Sequence, residues 1–173
     1  MALLVEINGK GPIISPSAWV AENATITGDT IIGAGSSIWY QVVIRGDVNK
    51  IRIGENVNVQ DLSMIHGTIG RSDTIIGNNV SIGHKAIIHG CQIRDNVLIG
   101  MGAIVLDDVI VPSNCIIAAG SVVTSGTILE SGFIYAGIPA KKLKPLDKAQ
   151  AQVYIEGTSQ AYVEYASWYK KGD

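Results

Sequence analysis

The chain has 173 residues, of which 47% are apolar, 6% aromatic and 16% charged, with a net charge of −2. This length and apolar content predict one domain with a substantial core. The small net charge and the lack of a basic cluster argue against binding of nucleic acid. No apolar segment approaches the length of a membrane span, and the apolar run at the N-terminus is too short for a signal peptide. We therefore expect a cytoplasmic protein that does not bind membranes.

An apolar residue, nearly always Ile or Val, recurs every six positions from Ile14 to Tyr135. The spacing is longer after Ile44 and Ile65 and shorter after Ile88. A short, fixed period with one constant aliphatic predicts an all-β solenoid, in which each six-residue strip is a strand and a corner. Three strips form one triangular coil, so the repeat predicts about seven stacked coils.

We assign residues 12–140 to this β-helix and residues 145–171 to a C-terminal helical segment. Thr158 is the predicted N-cap of the main helix, and Gly157 is predicted to separate it from a weaker helical stretch, 147–155. The apolar side chains of the main helix recur at spacings of three and four, which predicts packing along the outside of the β-helix. These side chains are Ala161, Tyr162, Tyr165, Ala166 and Tyr169.

Three histidines occur, and they lie close together at His66, His84 and His89. The repeat stacks the strips of Ile44, Ile65 and Ile88 on successive coils of one face. The residues that follow them should form an outward ladder, because neighbours of an inward residue point outward. That ladder consists of Arg45, His66 and His89. Two imidazoles on adjacent coils can bind one metal ion.

His84 belongs to a second predicted ladder, with Asp61 and Met101, on the next face. Its side chain points outward only if the chain turns a corner after Gly83. A span of five extended residues can separate His84 from His89 by about 17 Å. A shared metal therefore most simply takes His84 from a neighbouring subunit of a trimer. A solvated polar role for each histidine is the alternative. Cys91 and Cys115 are expected to be reduced core residues, not ligands.

Several motifs closely resemble the gamma-class carbonic anhydrase family, within the superfamily of left-handed hexapeptide-repeat β-helices. The resemblance implies a left-handed parallel β-helix and a homotrimer. It implies a zinc ion, or iron(II) or cobalt(II), bound by His66 and His89 of one subunit and His84 of the next. The motifs are Arg45-Gly46-Asp47, Asn58-Val59-Gln60-Asp61, His66, the segment from Gly77 to His84, and His89-Gly90-Cys91.

The same resemblance implies reversible hydration of CO₂ to bicarbonate by a metal-bound hydroxide. Gln60 would orient the nucleophile or product, and Asp61 would support the site as a hydrogen-bond acceptor. Arg45 and Asp47 match a pair that usually forms an ion pair between subunits beside the metal. Tyr162 resembles a tail tyrosine that reaches the pocket in some members, although core packing is the favoured role.

Two departures from the family pattern keep other functions open. The best-studied active members have a glutamate where this chain has Val48. They also have an acidic loop that passes protons to solvent, whereas residues 67–74 contain only one acid, Asp73. Proton removal is then expected to limit turnover. The alternatives are a metal-dependent thioesterase, a coenzyme A acyltransferase and a structural trimer without catalysis.

Overall fold

The protein is a parallel β-solenoid of about seven turns that ends in a single helix, as the repeat predicts. The computed structural model describes residues 1–170. Each apolar residue of the six-residue repeat from Ile26 to Tyr135 is buried, so the repeat forms the core directly. Within the described residues no helix is long and apolar enough to cross a membrane.

Short strands form the walls of the solenoid, and nearly all of their pairings are parallel. The exception is the antiparallel hairpin of the last two strands. The strands are β1 (Leu3–Val5), β2 (Ile13–Ile14), β3 (Trp19–Val20), β4 (Thr25–Ile32), β5 (Ser37–Ile38), β6 (Val43–Ile53), β7 (Asn58–Val59), β8 (Met64–His66), β9 (Thr74–Ile76), β10 (Ser81–Ile82), β11 (Ile87–His89), β12 (Gln92–Ile93), β13 (Val97–Ile99), β14 (Ile104–Val105), β15 (Ile110–Val111), β16 (Cys115–Ile117), β17 (Val122–Val123), β18 (Phe133–Gly137) and β19 (Ala140–Pro145).

The strands stack into three faces. Face A contains β8, β11, β14 and β17, face B contains β9, β12 and β15, and face C runs from β3 through β5, β7, β10, β13 and β16 to β18. The long strands β4 and β6 pair with strands of both face A and face B. Ile44, Ile65 and Ile88 are Cα partners on successive coils of face A, which confirms the predicted register. Cys91 and Cys115 are free and buried in the core, as expected.

The C-terminal helix lies along face C. It begins as α1 (Lys148–Gln150), continues as a π-helical segment (Ala151–Glu156) and ends as α2 (Gly157–Tyr169). Buried Ile155 packs on Ile116 and Ile134 near one end of the face. At the other end the ring of Tyr169 lies 5.2 Å from that of Trp19. The helix spans about 33 Å at roughly 1.5 Å per residue, which matches the height of a stack of about seven coils.

Two details of the predicted helix are wrong. Thr158 does not cap a helix but lies within α2, and the capping side chain is that of Asp147, which accepts a hydrogen bond of 2.7 Å from the amide of Gln150. Gly157 has helical dihedral angles and does not interrupt the helix, because the π-helical turn runs directly into α2. The last residue of the predicted 145–171 segment lies outside the described residues.

The buried side of the helix also differs in part from the predicted face. Ile155, Ser159 and Ala166 are buried, whereas Tyr165 is exposed. Ser159 Oγ donates a hydrogen bond of 3.0 Å to the carbonyl of Asn56. A small polar residue therefore contacts the β-helix here, whereas the pattern predicted only apolar residues on the buried side of the helix. The expected packing on the outside of the β-helix is confirmed.

Candidate metal centre

Two of the three histidines lie side by side on face A. His66 ends β8 and His89 ends β11, and they are Cα partners on adjacent coils. Their ring centroids are 5.4 Å apart, with the ring planes inclined at 72°. Both side chains point outward, as the ladder prediction requires. Arg45 Nη2 lies 3.0 Å from His66 Nε2, which places the third member of the ladder beside them.

His66 has polar neighbours on the preceding coil. Asp47 Oδ1 lies 3.1 Å from His66 Nε2, and Asp47 Oδ2 accepts from Arg45 Nη1 at 2.8 Å. Within the single chain, Arg45 and Asp47 form an ion pair with each other in β6, next to His66. Burial lowers the pKa of His66, and the positive charge of Arg45 lowers it further, so the neutral imidazole that metal binding requires is favoured. Coordination through Nε2 would require Arg45 and Asp47 to turn away from that nitrogen.

His89 has a carboxylate partner that the sequence analysis missed. Its Nδ1 lies 3.1 Å from Oδ2 of Asp107. The register could have revealed this pair, since Ile88 and Val105 are Cα partners and Gly90 therefore stacks beside Asp107 on the next coil. An ionised carboxylate only accepts hydrogen bonds, so Nδ1 of His89 carries the proton and Nε2 presents its lone pair.

His84 lies on a different corner of the solenoid, after β10 of face C. Gly83 and His84 lead into a turn whose next residue, Lys85, has a φ of +60°, and the side chain of His84 is 41% exposed. The corner that the prediction assumed after Gly83 is thus present. His84 Nδ1 lies 2.9 Å from Asp61 Oδ2, which confirms that these two residues stack on adjacent coils. As for His89, the carboxylate at Nδ1 leaves the lone pair on Nε2, the nitrogen that would bind a ligand.

Gln60 supports His84 through the backbone. Its side chain is 5% exposed, and its Oε1 accepts from the amide of His84 at 3.2 Å. Its Nε2 donates to Asn58 Oδ1 at 3.0 Å, and Asn58 in turn donates to Ser81 Oγ at 2.8 Å. This buried chain of amides fixes the corner that carries His84. Asn58 was missed as a functional residue, although it belongs to the same motif as Gln60.

Tyr162 of α2 reaches His84. Its hydroxyl lies 3.5 Å from His84 Nε2, and its ring packs edge-on against Trp39 with centroids 5.2 Å apart. Burial raises the pKa of Tyr162 to about 12, and the charge of Asp61 acts in the same direction. The side chain therefore packs in an aromatic cluster and also borders the candidate site.

An open groove runs beside His84 between face C and α2. Its volume is about 400 Å³, and most of its lining is apolar. Met101, the predicted third member of the ladder of His84, lies in this groove and is 58% exposed. The other lining side chains include Leu98, Ile116, Ala118 and Tyr162. The volume of the groove is larger than a three-atom molecule such as CO₂ needs.

The donor set suits a zinc-type ion only if two copies of the chain contribute. Within the described residues of one chain, no group of three or more histidine, cysteine, aspartate or glutamate side chains is placed to hold a metal. His66 and His89 form a two-nitrogen half-site, and His84 presents a third imidazole from a different corner. His89 Nδ1 is hydrogen-bonded to a carboxylate, and His84 Nδ1 lies 2.9 Å from one. Such carboxylate partners are typical of metal-binding histidines.

The acids near the site are already engaged. Asp73 Oδ1 accepts a hydrogen bond of 3.1 Å from the amide of Lys50, so this carboxylate holds the backbone. Val48, at the position of the family glutamate, is partly exposed and has no proton to transfer. Within residues 1–170, neither position offers a free acid beside the histidines.

The repeats and the whole chain match known proteins. The family model described as bacterial transferase hexapeptide (six repeats) matches residues 90–125. A carbonic anhydrase of Geobacillus kaustophilus is 40% identical over 168 residues, which cover 97% of this chain and 91% of the relative. The mitochondrial gamma carbonic anhydrase 2 of Arabidopsis thaliana is 39% identical over 94% of this chain, which spans only 60% of the length of that relative.

Two solved structures share both fold and sequence with the chain. A hexapeptide transferase family protein from Anaplasma phagocytophilum is 40% identical, with a TM-score of 0.92 and coverage of 96% of this chain and 98% of the other. A putative acetyltransferase of Bacillus cereus is 37% identical, with a TM-score of 0.96 and coverage of 99% of each chain. From the sequence motifs and these relatives, the chain belongs to the gamma-class carbonic anhydrase-like family of hexapeptide-repeat β-helix proteins.

Proposed function

We propose that the protein hydrates CO₂ reversibly to bicarbonate at metal sites shared between the subunits of a homotrimer. The observation that carries the proposal is the ladder of His66 and His89 on face A, with His84 presented from a different corner. Together the three would bind zinc, or alternatively iron(II) or cobalt(II), through neutral imidazoles. The similarity to a carbonic anhydrase of Geobacillus kaustophilus over 97% of the chain supports this activity.

An uncovered apolar stripe on face A supports trimer formation. Its members are stacked in register on successive coils, one after another, beside the two histidines. Met64 and Ile87, in the middle of the stripe, are each 37% exposed. A contiguous apolar strip of this kind marks an interaction surface. A neighbouring copy that covered it would bring a further corner, with His84, close to His66 and His89. The stripe consists of Val43, Met64, Ile87, Ile104 and Val122.

A metal with three imidazole ligands supplies, when bound, a water with a pKa of about 7 for attack on the carbon of CO₂. The protein's own side chains hold the metal ligands and orient the substrate and product. Asp61 fixes the tautomer of His84, and Gln60 retains a second amide hydrogen to donate toward a bicarbonate oxygen. The hydroxyl of Tyr162 is protonated at neutral pH, and burial raises its pKa further, to about 12, so it can donate a hydrogen bond.

Complementation between two inactive variants tests the shared site. His84→Ala leaves His66 and His89 intact, and His89→Ala leaves His84 intact. Each homotrimer should lose CO₂ hydration in stopped flow and should lose bound metal by mass spectrometry. In any mixed trimer of the two variants, one of the three interfaces is complete. Co-expression with two different tags should therefore restore about one third of the wild-type activity and metal.

The outcome separates a shared site from a site within one chain. Recovery in isolated mixed trimers supports the proposal. Mixed trimers that stay as inactive as either parent, with both parents still trimeric by light scattering, contradict it. Wild-type protein that is loaded with zinc or, under anaerobic conditions, with iron(II), and that still does not hydrate CO₂, contradicts the activity itself.

Thioester hydrolysis is the second candidate, favoured by the groove beside His84. A volume of about 400 Å³ with apolar walls accommodates an acyl chain. The Bacillus cereus relative of known structure is described as a putative acetyltransferase. Under this proposal, Ala118→Leu narrows the groove and should suppress cleavage of acyl-coenzyme A while CO₂ hydration is unchanged. Equal activity of the wild-type protein and Ala118→Leu on thioesters would eliminate the groove as the acyl site.

A further inference from the structure

We propose that Asp107 is a positioning residue that, together with the loop 67–73, holds His89 in the one tautomer and orientation that bind a metal. The inference rests on the proposed function only in assuming that His89 binds a metal. The hydrogen bonds that carry it are present in the chain alone. We name residues 67–73, between β8 and β9, the insertion loop.

Asp107 uses one carboxylate oxygen for two contacts. Oδ2 lies 3.1 Å from Nδ1 of His89 and accepts a hydrogen bond of 3.3 Å from Oγ1 of Thr68 in the insertion loop. A carboxylate accepts hydrogen bonds and does not donate them, so Nδ1 must carry the imidazole proton. The lone pair of His89 is then confined to Nε2, which points away from Asp107.

The burial of Asp107 has no evident structural benefit. The residue is 8% exposed, and its Oδ1 is buried without a hydrogen-bond partner among the described residues. A buried polar atom without a partner is costly, and so is a carboxylate out of water. Such a cost is typically retained where a site needs the group, which here is the ring nitrogen of His89.

Gly90 provides the space that this carboxylate occupies. It follows His89 directly, has a φ of +54°, and any Cβ placed on it would collide with Asp107 Oδ1. A side chain at this position would push the carboxylate away from the imidazole. The glycine is thus required both by the backbone conformation and by the approach of Asp107.

The insertion loop is fastened over this pair at several points. Asn49 Nδ2 donates to the carbonyls of Thr68 and Ser72, at 2.5 and 2.8 Å. Ser72 Oγ donates to the carbonyl of Gly90 at 2.5 Å. Arg71 forms an ion pair of 2.6 Å with Asp108, the residue after Asp107. The loop, whose one acid, Asp73, is bound to the amide of Lys50, therefore serves to cover and fix Asp107.

The matched pair of variants is Asp107→Asn and Asp108→Asn. Both remove one carboxylate from the same corner, but only Asp107 contacts His89. Asparagine at position 108 keeps an oxygen that accepts a hydrogen bond from Arg71 Nε, so the insertion loop stays fastened in the control. Asn tolerates the φ of +61° at position 108, so the control is not strained. The metal-free proteins are labelled with ¹⁵N-histidine, and the ring tautomers are read by NMR above the titration range of imidazole. With only three histidines in the chain, His66→Ala and His84→Ala assign the signals.

The wild-type protein and Asp108→Asn should show His89 as the Nδ1–H tautomer, and Asp107→Asn should show a mixture with the Nε2–H form. Zinc affinity by competition with a chelator should fall roughly 10–100-fold in Asp107→Asn alone. An unchanged tautomer in Asp107→Asn, or an affinity within twofold of wild type, would overturn the inference. If Asp107→Asn does not fold, a wild-type His89 in the Nε2–H form overturns it.

The two proposals fail in different ways. A wild-type trimer that binds no metal contradicts the proposed function, while the tautomer measurement on metal-free protein still tests the role of Asp107. A trimer that binds metal equally well with and without the Asp107 carboxylate leaves the carbonic anhydrase proposal intact and removes the positioning role.

Discussion

Two of the three carboxylate–imidazole pairs of the candidate centre, those of His84 and His89, differ in how far the single chain encloses them. The contact between His84 and Asp61 is 2.9 Å long, and that between His89 and Asp107 is 3.1 Å long. The first pair lies on an open corner, with side chains 41% and 32% exposed, whereas those of the second are 26% and 11% exposed. One half of the proposed site is thus enclosed by the chain itself, whereas the other half is open in the single chain.

This difference follows from what covers each pair. The insertion loop folds over Asp107, and the stacked coils of face A support His89 from below. At the corner of His84, Gln60 fixes only the backbone amide, while the imidazole faces the open groove. An exposed hydrogen bond contributes little because water competes for both partners, and a buried one contributes more. The exposed pair should therefore tolerate mutation better than the buried one.

The largest effect should come from removing an imidazole itself. His84→Ala and His89→Ala should each abolish CO₂ hydration. Each should also weaken zinc binding by more than the roughly 10–100-fold that is expected when only the hydrogen-bond partner of a ligand is removed. The two losses should be equal, because both residues are proposed ligands despite their different burial. Isothermal titration with zinc and stopped-flow assays measure both.

Lys85→Asn is the control for His84→Ala. It changes the next residue of the same corner, and asparagine accepts the φ of +60° found there. It should leave metal binding and turnover within about twofold of wild type. A wild-type metal content in His84→Ala would show that the exposed corner is not part of the centre, and the comparison of the two halves would then lose its basis.

Asp61→Asn should have a smaller effect than Asp107→Asn. We expect about a 10-fold loss of zinc affinity, at the lower end of the range for such partners, because the Asp61–His84 pair is open to water. Asparagine keeps an acceptor for the amide of Tyr40, which Asp61 Oδ1 now binds at 3.2 Å, so the corner should stay folded. Chelator competition on both variants gives the ranking. A loss in Asp61→Asn that exceeds that in Asp107→Asn would reverse our comparison.

The sequence predicted most of the stacking, for a physical reason. Each inward aliphatic is fixed by burial, so the insertions after Ile44 and Ile65 shift the strips without changing what points inward. That register alone placed His66 beside His89 and Asp61 beside His84. Asp107 was missed because an aspartate at a corner usually serves the turn. The register stacks it beside Gly90, but only the side-chain conformation shows that its carboxylate reaches His89.

The helix was harder to predict than the solenoid. Its pattern of apolar residues was recognised, but its start at Asp147 and the burial of Ser159 depend on contacts with face C. Gly157 was interpreted as a break, since glycine lowers helix stability. Packing of Ile155 on the sheet outweighs that cost, and the helix continues through Gly157. Tertiary contacts of this kind are not encoded in local propensity.

A glutamate introduced at Val48 should accelerate turnover. Val48 lies next to Asp47, is 36% exposed, and occupies the position of the proton-accepting glutamate in active members of the family. Val48→Glu should raise kcat up to about tenfold in weak buffer, where proton removal limits the rate. Val48→Gln has the same shape without the acid and should not. Equal rates in both variants, or a wild-type rate that is independent of buffer concentration, would show that proton removal is not limiting.

Tyr162→Phe should have the smallest effect, a decrease of about threefold in kcat/KM, as expected for one lost hydrogen bond. The pKa of Tyr162 is raised to about 12, so the hydroxyl stays neutral from pH 6 to pH 10. Removal of the hydroxyl should therefore lower kcat/KM at every pH without shifting the pH–rate profile along the pH axis. Tyr165→Phe, on the exposed side of the same helix, is the control. A shifted profile in Tyr162→Phe would mean that the phenol exchanges a proton during turnover, and the open half of the site would then contribute chemistry as well as a ligand.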